Sequence, residues 1–568
     1  MDPTKQNNNR SSKWLDTPEL YSWLRKAAFN SQGFNPKSYE NKPVIGICNS
    51  WSELTHCNQN LRQLAESVKR GVWQAGGFPL EFPVISLGEY HMKPTSMLYR
   101  NLMSIDVEES IRANPIDGVV LLSGCDKTTP AMLMGAASAN IPSILVTSGP
   151  QLSGRWKTEP LGACTDCRRY EAEFKAGQIN QQDWEEIQNS ILRSPGHCMV
   201  MGTASTMACL SEILGMALPG NGTIPAVDSR RYQIAEQSGF QIVKMISEKM
   251  TPSKIMTNKA FENSIIGLHA LGGSTNAIIH LNAIAGRLSI NLPLNLFDKF
   301  SKSTPVITNL KPAGEFLMED FHYAGGMQAV IKEISPLLHC EETGVSGLKI
   351  SDLASIARND NNNVIKSLDN PLFPEGGLAV LEGSLAPEGA IIKHSAASPH
   401  LLNHTGRAVV FDNNDDLIQR INLENLNIKP EDILILKNSG PKGAPGMPEW
   451  GFLPIPDKLL KAGIRDIVRI SDARMSGTAF GTVVVHTAPE SALENSPMAV
   501  VKTGDTVELN IDKRSLDLLV EPSEIRKRFK NINPKKVTHG SGYTELYKKH
   551  VLQAPEGCDF DFLRKSPA

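Results

Sequence analysis

Three cysteines occupy one kind of position in this chain. Cys57 lies in Thr55-His56-Cys57-Asn58, Cys125 in Gly124-Cys125-Asp126-Lys127-Thr128-Thr129-Pro130 and Cys198 in Gly196-His197-Cys198, each just ahead of a stretch with helical periodicity. The exposed N–H groups of a helix N-terminus favour thiolate, the form that binds metal. Three thiolates from separate loops can hold an iron–sulfur cluster and leave one iron position open, whereas full ligation takes four. An open iron is a Lewis acid. Taken singly, each cysteine reads as a small buried hydrophobe. Asp126 and Lys127 beside one of them, and His56 and His197 beside the others, favour the joint reading.

Hard-metal ligands are present as well. Glu89 follows the strand-like Phe82–Leu87, Asp126 adjoins Cys125, and Glu449 ends Gly446-Met447-Pro448-Glu449. Carboxylate oxygens suit Mg²⁺, although a lone carboxylate is most often a solvated surface group. Ser476, in the run Ser471–Gly481, has no Gly-x-Ser-x-Gly frame, so hydrolase chemistry is not indicated and a turn hydroxyl is the plain reading. Cys164-Thr165-Asp166-Cys167 is a close Cys-x-x-Cys pair with no second pair at zinc-ribbon spacing. With Pro160, Gly162, Arg168 and Arg169 around it, it reads as a surface loop bordering the pocket, redox activity being the alternative. Cys48 and Cys209 read as core, Cys340 and Cys558 as incidental. Gly272-Gly273-Ser274 and Gly325-Gly326 match neither a P-loop nor a dinucleotide fingerprint, which excludes nucleotide binding.

The elements that must position these residues follow from periodicity. Val44–Cys48, Gly118–Leu122 and Ile144–Val146 are short apolar runs and read as buried strands. Between them Leu61, Leu64, Ala65, Val68 and Val72 recur at helical spacing, with Asn58 as cap and Gly76-Gly77 as stop, and Pro130 opens an Ala/Met-rich helix; Thr203–Leu218 is helix-like too. Strand-helix-strand alternation predicts a mostly parallel sheet flanked by helices. Beyond about residue 375 the texture changes. Ala408–Phe411, Asp432–Leu436, Ile467–Ile470, Thr482–Val485 and Thr506–Ile511 are strands with few helical intervals, which predicts a β-barrel-like second domain. The chain is thus expected to divide into a flexible tail (1–12), an α/β domain (13–375) and a barrel-like domain (376–568), the boundary lying near Pro371–Gly377.

Composition narrows the function classes. With 568 residues the chain buries large cores without disulfides, and nine dispersed cysteines, an odd count, argue against a secreted disulfide framework. Lys+Arg 58 against Asp+Glu 60 leaves a formal charge of -2, too balanced for the basic field that nucleic-acid or anionic-membrane binding requires. No secretory signal or long apolar span stands in the sequence, so a cytoplasmic protein acting on a small molecule is expected.

Taken together these motifs resemble the iron–sulfur dihydroxy-acid and sugar-acid dehydratases, over nearly the whole chain from Gly46 to Gly557–Leu563. The resemblance implies an α/β domain followed by a β-barrel domain. It implies Cys57, Cys125 and Cys198 as cluster ligands, [2Fe–2S] favoured over [4Fe–4S], and Glu89, Asp126, Glu449 and Lys127 as the Mg²⁺ set. Ser476 becomes the base, Lys127 a second catalytic residue that family members carry as a carbamate, and Thr478 a substrate contact. A carbamate requires a buried neutral amine; the alternative is an ammonium paired with Asp126. Ala131, the run Gly162–Arg169 and Asp472-Ala473-Arg474-Met475-Ser476-Gly477-Thr478 look like the sugar-acid branch, since biosynthetic members tend to carry Gly at position 131 and Asp-Gly-Arg-Phe-Ser-Gly in the later run. The activity implied is loss of water from a 2,3-dihydroxy acid, a pentonate such as L-arabinonate or D-xylonate, to give a 2-keto-3-deoxy acid, by a homodimer or homotetramer. The alternatives are a dihydroxy-acid dehydratase of branched-chain biosynthesis and, from another class, a redox sensor using Cys164 and Cys167.

Overall fold

The computed structural model describes residues 9–175, 177–531 and 540–564. The apolar runs form strands Val44–Asn49 (β1), Phe78–Pro83 (β2), Gly118–Ser123 (β3) and Ser143–Thr147 (β4), joined in the order β2-β1-β3-β4 with every pair parallel. β1, β3 and β4 are buried along their whole length, as strands covered on both faces must be. The chain leaves β1 toward β2 on one side and crosses back to β3 on the other, so right-handed crossovers place the intervening helices, Leu61–Gln74 and Arg100–Ala113, on opposite faces. This reversal makes the carboxyl ends of β1 and β3 the crevice where an open parallel sheet binds ligands. Cys57 follows β1 and Cys125 follows β3.

A short hairpin, Gly154–Trp156 (β5) with Glu159–Leu161 (β6), leads into the helix Ala163–Lys175. The second sheet has eight strands: Ala379–Leu381 (β7), Gly389–Ile392 (β8), Asn403–Phe411 (β9), Ile433–Leu436 (β10), Arg469–Ser471 (β11), Val483–Ala488 (β12), Thr506–Asn510 (β13) and Ser515–Leu518 (β14), in the order β14-β13-β9-β10-β11-β12-β8-β7. A parallel bridge from Glu382 to Ser515 joins the two ends, so the sheet closes into the barrel-like form expected. Alternation sorts its side chains: Val410, Ile433, Ile435, Ile470 and Val484 fill the barrel, while Ile391, Val483 and Val485 face the core of the first sheet and its helices.

Several local expectations are corrected. The strand expected at Phe82–Leu87 is displaced toward the N-terminus and runs Phe78–Pro83, its pairing with β1 closing where the Val84 N–H donates to the Asn49 carbonyl at 3.1 Å. The helix after β1 is preceded by Asn60 rather than capped by Asn58, whose side chain serves another purpose described below. The helix expected over Thr203–Leu218 stops at Ile213, followed by left-handed Gly215. Cys164 and Cys167 lie in the first turns of the helix Ala163–Lys175, not in a loop; the side chain of Cys164 is outside the described residues. Ser11 is buried and its hydroxyl donates to Asp117 at 2.5 Å, so order begins before Trp14, while residues 1–8 of the expected tail lie outside the described residues. Cys558, read as incidental, is fully buried, and Arg100 donates to its carbonyl at 2.9 Å. Among the described residues no helix is long and apolar enough to cross a membrane.

One buried carboxyl ties stability to pH. Glu212 accepts N–H groups from Gly220 at 2.9 Å and Gly222 at 2.5 Å, yet burial raises its pKa from 4.5 to about 7. Between those values the folded chain holds a proton that the unfolded chain has shed. Its contribution to stability is therefore lost as pH rises through that window. Glu212→Gln is expected to flatten the fall in thermal midpoint from pH 4.5 to 7, measured by circular dichroism melts.

Candidate active site

The three cysteine loops are drawn together by backbone contacts. Gly124 sits against the loop after β1: a Cβ there would lie 2.3 Å from the Cys57 carbonyl oxygen, 2.5 Å from Ser148 Oγ and 2.7 Å from Asn58 Oδ1. Asn58 spans the same gap, its Oδ1 accepting the Cys125 N–H at 3.1 Å while its Nδ2 donates to the Ser50 carbonyl at 2.9 Å and to Ser86 Oγ at 2.8 Å. The third loop is tied in by the His197 N–H, which donates to the Gly149 carbonyl at 3.0 Å, and by the Gln151 N–H, which donates to the His197 carbonyl at 2.8 Å. Cys57 and Cys125 are 4% exposed, Cys198 is half-buried. A hydrogen bond between Cys57 and Cys125 comes first in raising the Cys57 pKa, followed by burial and the charges of Cys125, Cys198 and Asp126. The thiol depression expected from a helix end is thus not met at Cys57. It stands on a 3-10 turn, His56–Asn58, where other thiols and low dielectric outweigh any helix dipole.

Beside the thiols, three carboxylates surround one cation. Lys127 is 0% exposed; its Nζ contacts Asp126 closely and lies 3.4 Å from Glu89 Oε2 and 3.6 Å from Glu449 Oε1. Burial and Arg474 push the Lys127 pKa down, but the three carboxylates outweigh them and raise it. With no metal among them, the carboxylates thus favour the ammonium form of Lys127. At Glu89 burial pushes upward, yet Lys127, Arg474 and the hydroxyls of Ser96 and Thr95 hold the carboxyl at about 2. Burial raises Glu449 despite the same cations.

Ser476 stands between β11 and β12. Its Oγ is 2.9 Å from Thr478 Oγ1, and Thr165 Oγ1, from the helix Ala163–Lys175, donates to the Thr478 carbonyl at 3.1 Å. The structure therefore brings together residues from both sheets: Arg474, two positions before Ser476, donates to Glu449 at 3.1 Å and to Thr95 Oγ1 at 3.1 Å.

Comparison with known proteins decides the family. Residues 42–353 match the dihydroxy-acid/6-phosphogluconate dehydratase N-terminal domain and residues 363–558 the C-terminal domain. The chain belongs to the dihydroxy-acid/6-phosphogluconate dehydratase family. An L-arabonate dehydratase from Azospirillum brasilense is 49% identical over 98% of this dehydratase and 96% of the relative. A 6-deoxy-6-sulfo-D-gluconate dehydratase from Pseudomonas putida is 44% identical over 98% and 97%. A dihydroxy-acid dehydratase from Caldicellulosiruptor saccharolyticus is 38% identical over 94% and 97%. The dehydratase stands with the sugar-acid branch.

The donor sets suit the metals this family reading calls for. Three thiols converge in one partly shielded crevice, and soft sulfur is the donor that iron–sulfur clusters take. Three carboxylates close on one buried positive centre, where the Lys127 ammonium stands in for a cation. Among the described residues no group of three His, Cys, Asp or Glu side chains is already drawn in to metal-ligand spacing; the ammonium holds the middle of the acidic ring. Sequence reading missed Arg474, Thr95 and Ser96, which orient Glu89 and Glu449 in this dehydratase, and gave Asn58 the wrong task. Arg474 lay inside a run already singled out. Only its spacing from Ser476 hinted at a shared site.

Proposed function

We propose that this dehydratase removes water from a pentonate such as L-arabinonate or D-xylonate and releases the 2-keto-3-deoxy acid. The observation that carries the reading is the convergence of the Cys57, Cys125 and Cys198 loops beside the carboxylates around Lys127. Cys57, Cys125 and Cys198 would hold the iron–sulfur cluster, [2Fe–2S] rather than [4Fe–4S], and Glu89, Asp126 and Glu449 the Mg²⁺. With Mg²⁺ in place of the ammonium charge among these carboxylates, the Lys127 amine would be free to lose its proton and take up CO₂, and the resulting carbamate would add an anionic oxygen to that set. When bound, these groups supply Lewis acidity to the departing 3-hydroxyl and charge neutralisation to the substrate carboxylate. The chain's own residues do the rest. Ser476 takes the C2 proton, Thr478 holds the serine hydroxyl, and Arg474 keeps Glu449 and Thr95 in place. Relatives named for L-arabonate and 6-deoxy-6-sulfo-D-gluconate, at 49% and 44% identity, support a sugar acid over a branched-chain substrate.

The helix Leu20–Ser31 exposes Leu20, Tyr21, Trp23 and Leu24, surface of the kind a homodimer or homotetramer covers. Dispersed cysteines fit a reducing cytoplasm. The test is anaerobic purification, iron and sulfide analysis with electron paramagnetic resonance, and a panel of L-arabinonate, D-xylonate, D-gluconate and 2,3-dihydroxyisovalerate. A pentonate is expected to exceed dihydroxyisovalerate in kcat/KM by about tenfold or more. The opposite order overturns the proposal.

A further inference from the structure

Ser476 and the cysteines reach the site from different sheets, so something must set the distance between them. The residues on either side of Ser476 are both held. On one side the Met475 carbonyl accepts from Asn276 Nδ2 at 3.1 Å; the second hydrogen of that amide goes to Thr203 Oγ1, also at 3.1 Å. On the other side Gly477 lies against the same group: a Cβ there would fall 2.6 Å from the Thr203 nitrogen, 2.8 Å from Ser274 Oγ and 2.9 Å from Thr203 Oγ1. Ser274 closes the set, its Oγ 2.8 Å from Thr203 Oγ1 and accepting the Asn276 N–H at 3.2 Å. Asn276 and Ser274 are wholly buried and Thr203 is 5% exposed, so water cannot substitute for these bonds.

Two features make this more than packing. Thr203 opens the helix Thr203–Ile213 that follows the Cys198 loop, and Asn276 opens the helix Asn276–Gly286. One amide group thus ties the strand-to-strand loop bearing Ser476 to the helix that carries the third cysteine loop. In addition, Asn276 Oδ1 and Thr275 Oγ1 are buried with no hydrogen-bond partner, although both Asn276 hydrogens are used. The amide cannot be turned round to relieve this, because a carbonyl at Met475 demands the nitrogen. Both amide hydrogens are thus committed to fixing the Met475 carbonyl against Thr203.

We infer that Asn276, with Thr203 and Ser274, is a positioning residue that sets the Ser476 hydroxyl against the Cys198 loop. This rests on Ser476 being the base. Reacting groups displaced by about 1 Å lose on the order of 10²-fold in rate, and a broken tether of this kind moves the hydroxyl while leaving the substrate's metal contacts alone. Asn276→Asp places an acceptor where a donor is required, and Thr203→Val removes the other anchor with little change of shape.

The test measures both variants and Ser476→Ala as holoenzymes on L-arabinonate and its C2-deuterated form, with turnover expressed per cluster from electron paramagnetic resonance. Asn276→Asp is expected to lose about 10²-fold in kcat with KM little changed, and to raise the C2 deuterium isotope effect on kcat as proton removal becomes limiting. Thr203→Val is expected to move both in the same direction by less. Wild-type turnover per cluster and an unchanged isotope effect in these variants, with Ser476→Ala inactive, would overturn the positioning role and leave the base intact. If Ser476→Ala itself turns over normally, the base reading has failed first. Where Asn276→Asp is too unstable to load iron, Thr203→Val decides.

Discussion

If the three thiols hold iron as proposed, Gly124→Ala is expected to yield a protein that retains it about 10- to 100-fold less well than the wild type and is correspondingly inactive. The added methyl group has no room. Its carbon would lie 2.3 Å from the Cys57 carbonyl oxygen and 2.7 Å from Asn58 Oδ1, and neither is the free end of a flexible side chain. Relief requires the loops after β1 and β3 to part, which breaks the Asn58 bond to the Cys125 N–H and separates two of the three thiols. Overpacking of this kind also costs about 1–3 kcal/mol in stability. Iron and sulfide analysis after anaerobic reconstitution, alongside a thermal melt, checks both consequences. Gly540→Ala is the control, because its backbone is not left-handed and its Cβ position meets only Glu545 Oε2 at 3.6 Å, an ordinary contact. Wild-type iron content in the Gly124 variant would show that the two loops do not depend on this contact.

With Ser476 as the proposed base, Ser476→Ala is expected to lower kcat by roughly 10²–10⁴-fold with iron content and KM little altered, the range for removing a general base. A serine hydroxyl is too weakly acidic to act unaided at neutral pH, so its role depends on what surrounds it. The structure places it 2.9 Å from Thr478 Oγ1 and two positions from Arg474, whose guanidinium joins the Lys127 carboxylate ring. Thr478→Val is expected to reduce kcat by less, since it removes one hydrogen bond and leaves the proposed base in place. Single-turnover measurements with the C2-deuterated pentonate separate a lost base from lost binding. Normal turnover in Ser476→Ala would move proton removal to another group.

Much of the fold was legible because it is written in neighbouring residues. Val44–Asn49 and Gly118–Ser123 announce buried strands by being apolar on both faces, and the alternation in Thr506–Asn510 announces a half-exposed one. Pro130 and the Leu61–Val72 spacing likewise predict helices that are present. The errors fall where local signals conflict. Gly162 and the charged Arg168-Arg169 pair suggest a loop, yet Asp166 accepts the Gly162 N–H at 2.5 Å and pairs with Lys311 at 2.8 Å, contacts that help hold the start of a helix. Asn58 looked like a cap because asparagine often is one; its amide is instead spent on Cys125, Ser50 and Ser86.

By itself the sequence determined which chemistry was available: thiols, oxygen donors and a hydroxyl, each at the end of a strand or the entrance of a helix. That follows from composition and from periods of two and 3.6 residues, which depend only on near neighbours. Tertiary structure alone decided that these groups share one place. Strand order put β1 beside β3, Gly124 let their loops touch, and the bonds of Arg474 to Thr95 and of Asn276 to the Met475 carbonyl joined the loops of the second sheet to the first part of the chain. Such contacts join residues far apart in the chain, so their existence depends on how whole elements pack and not on any signal within a short window.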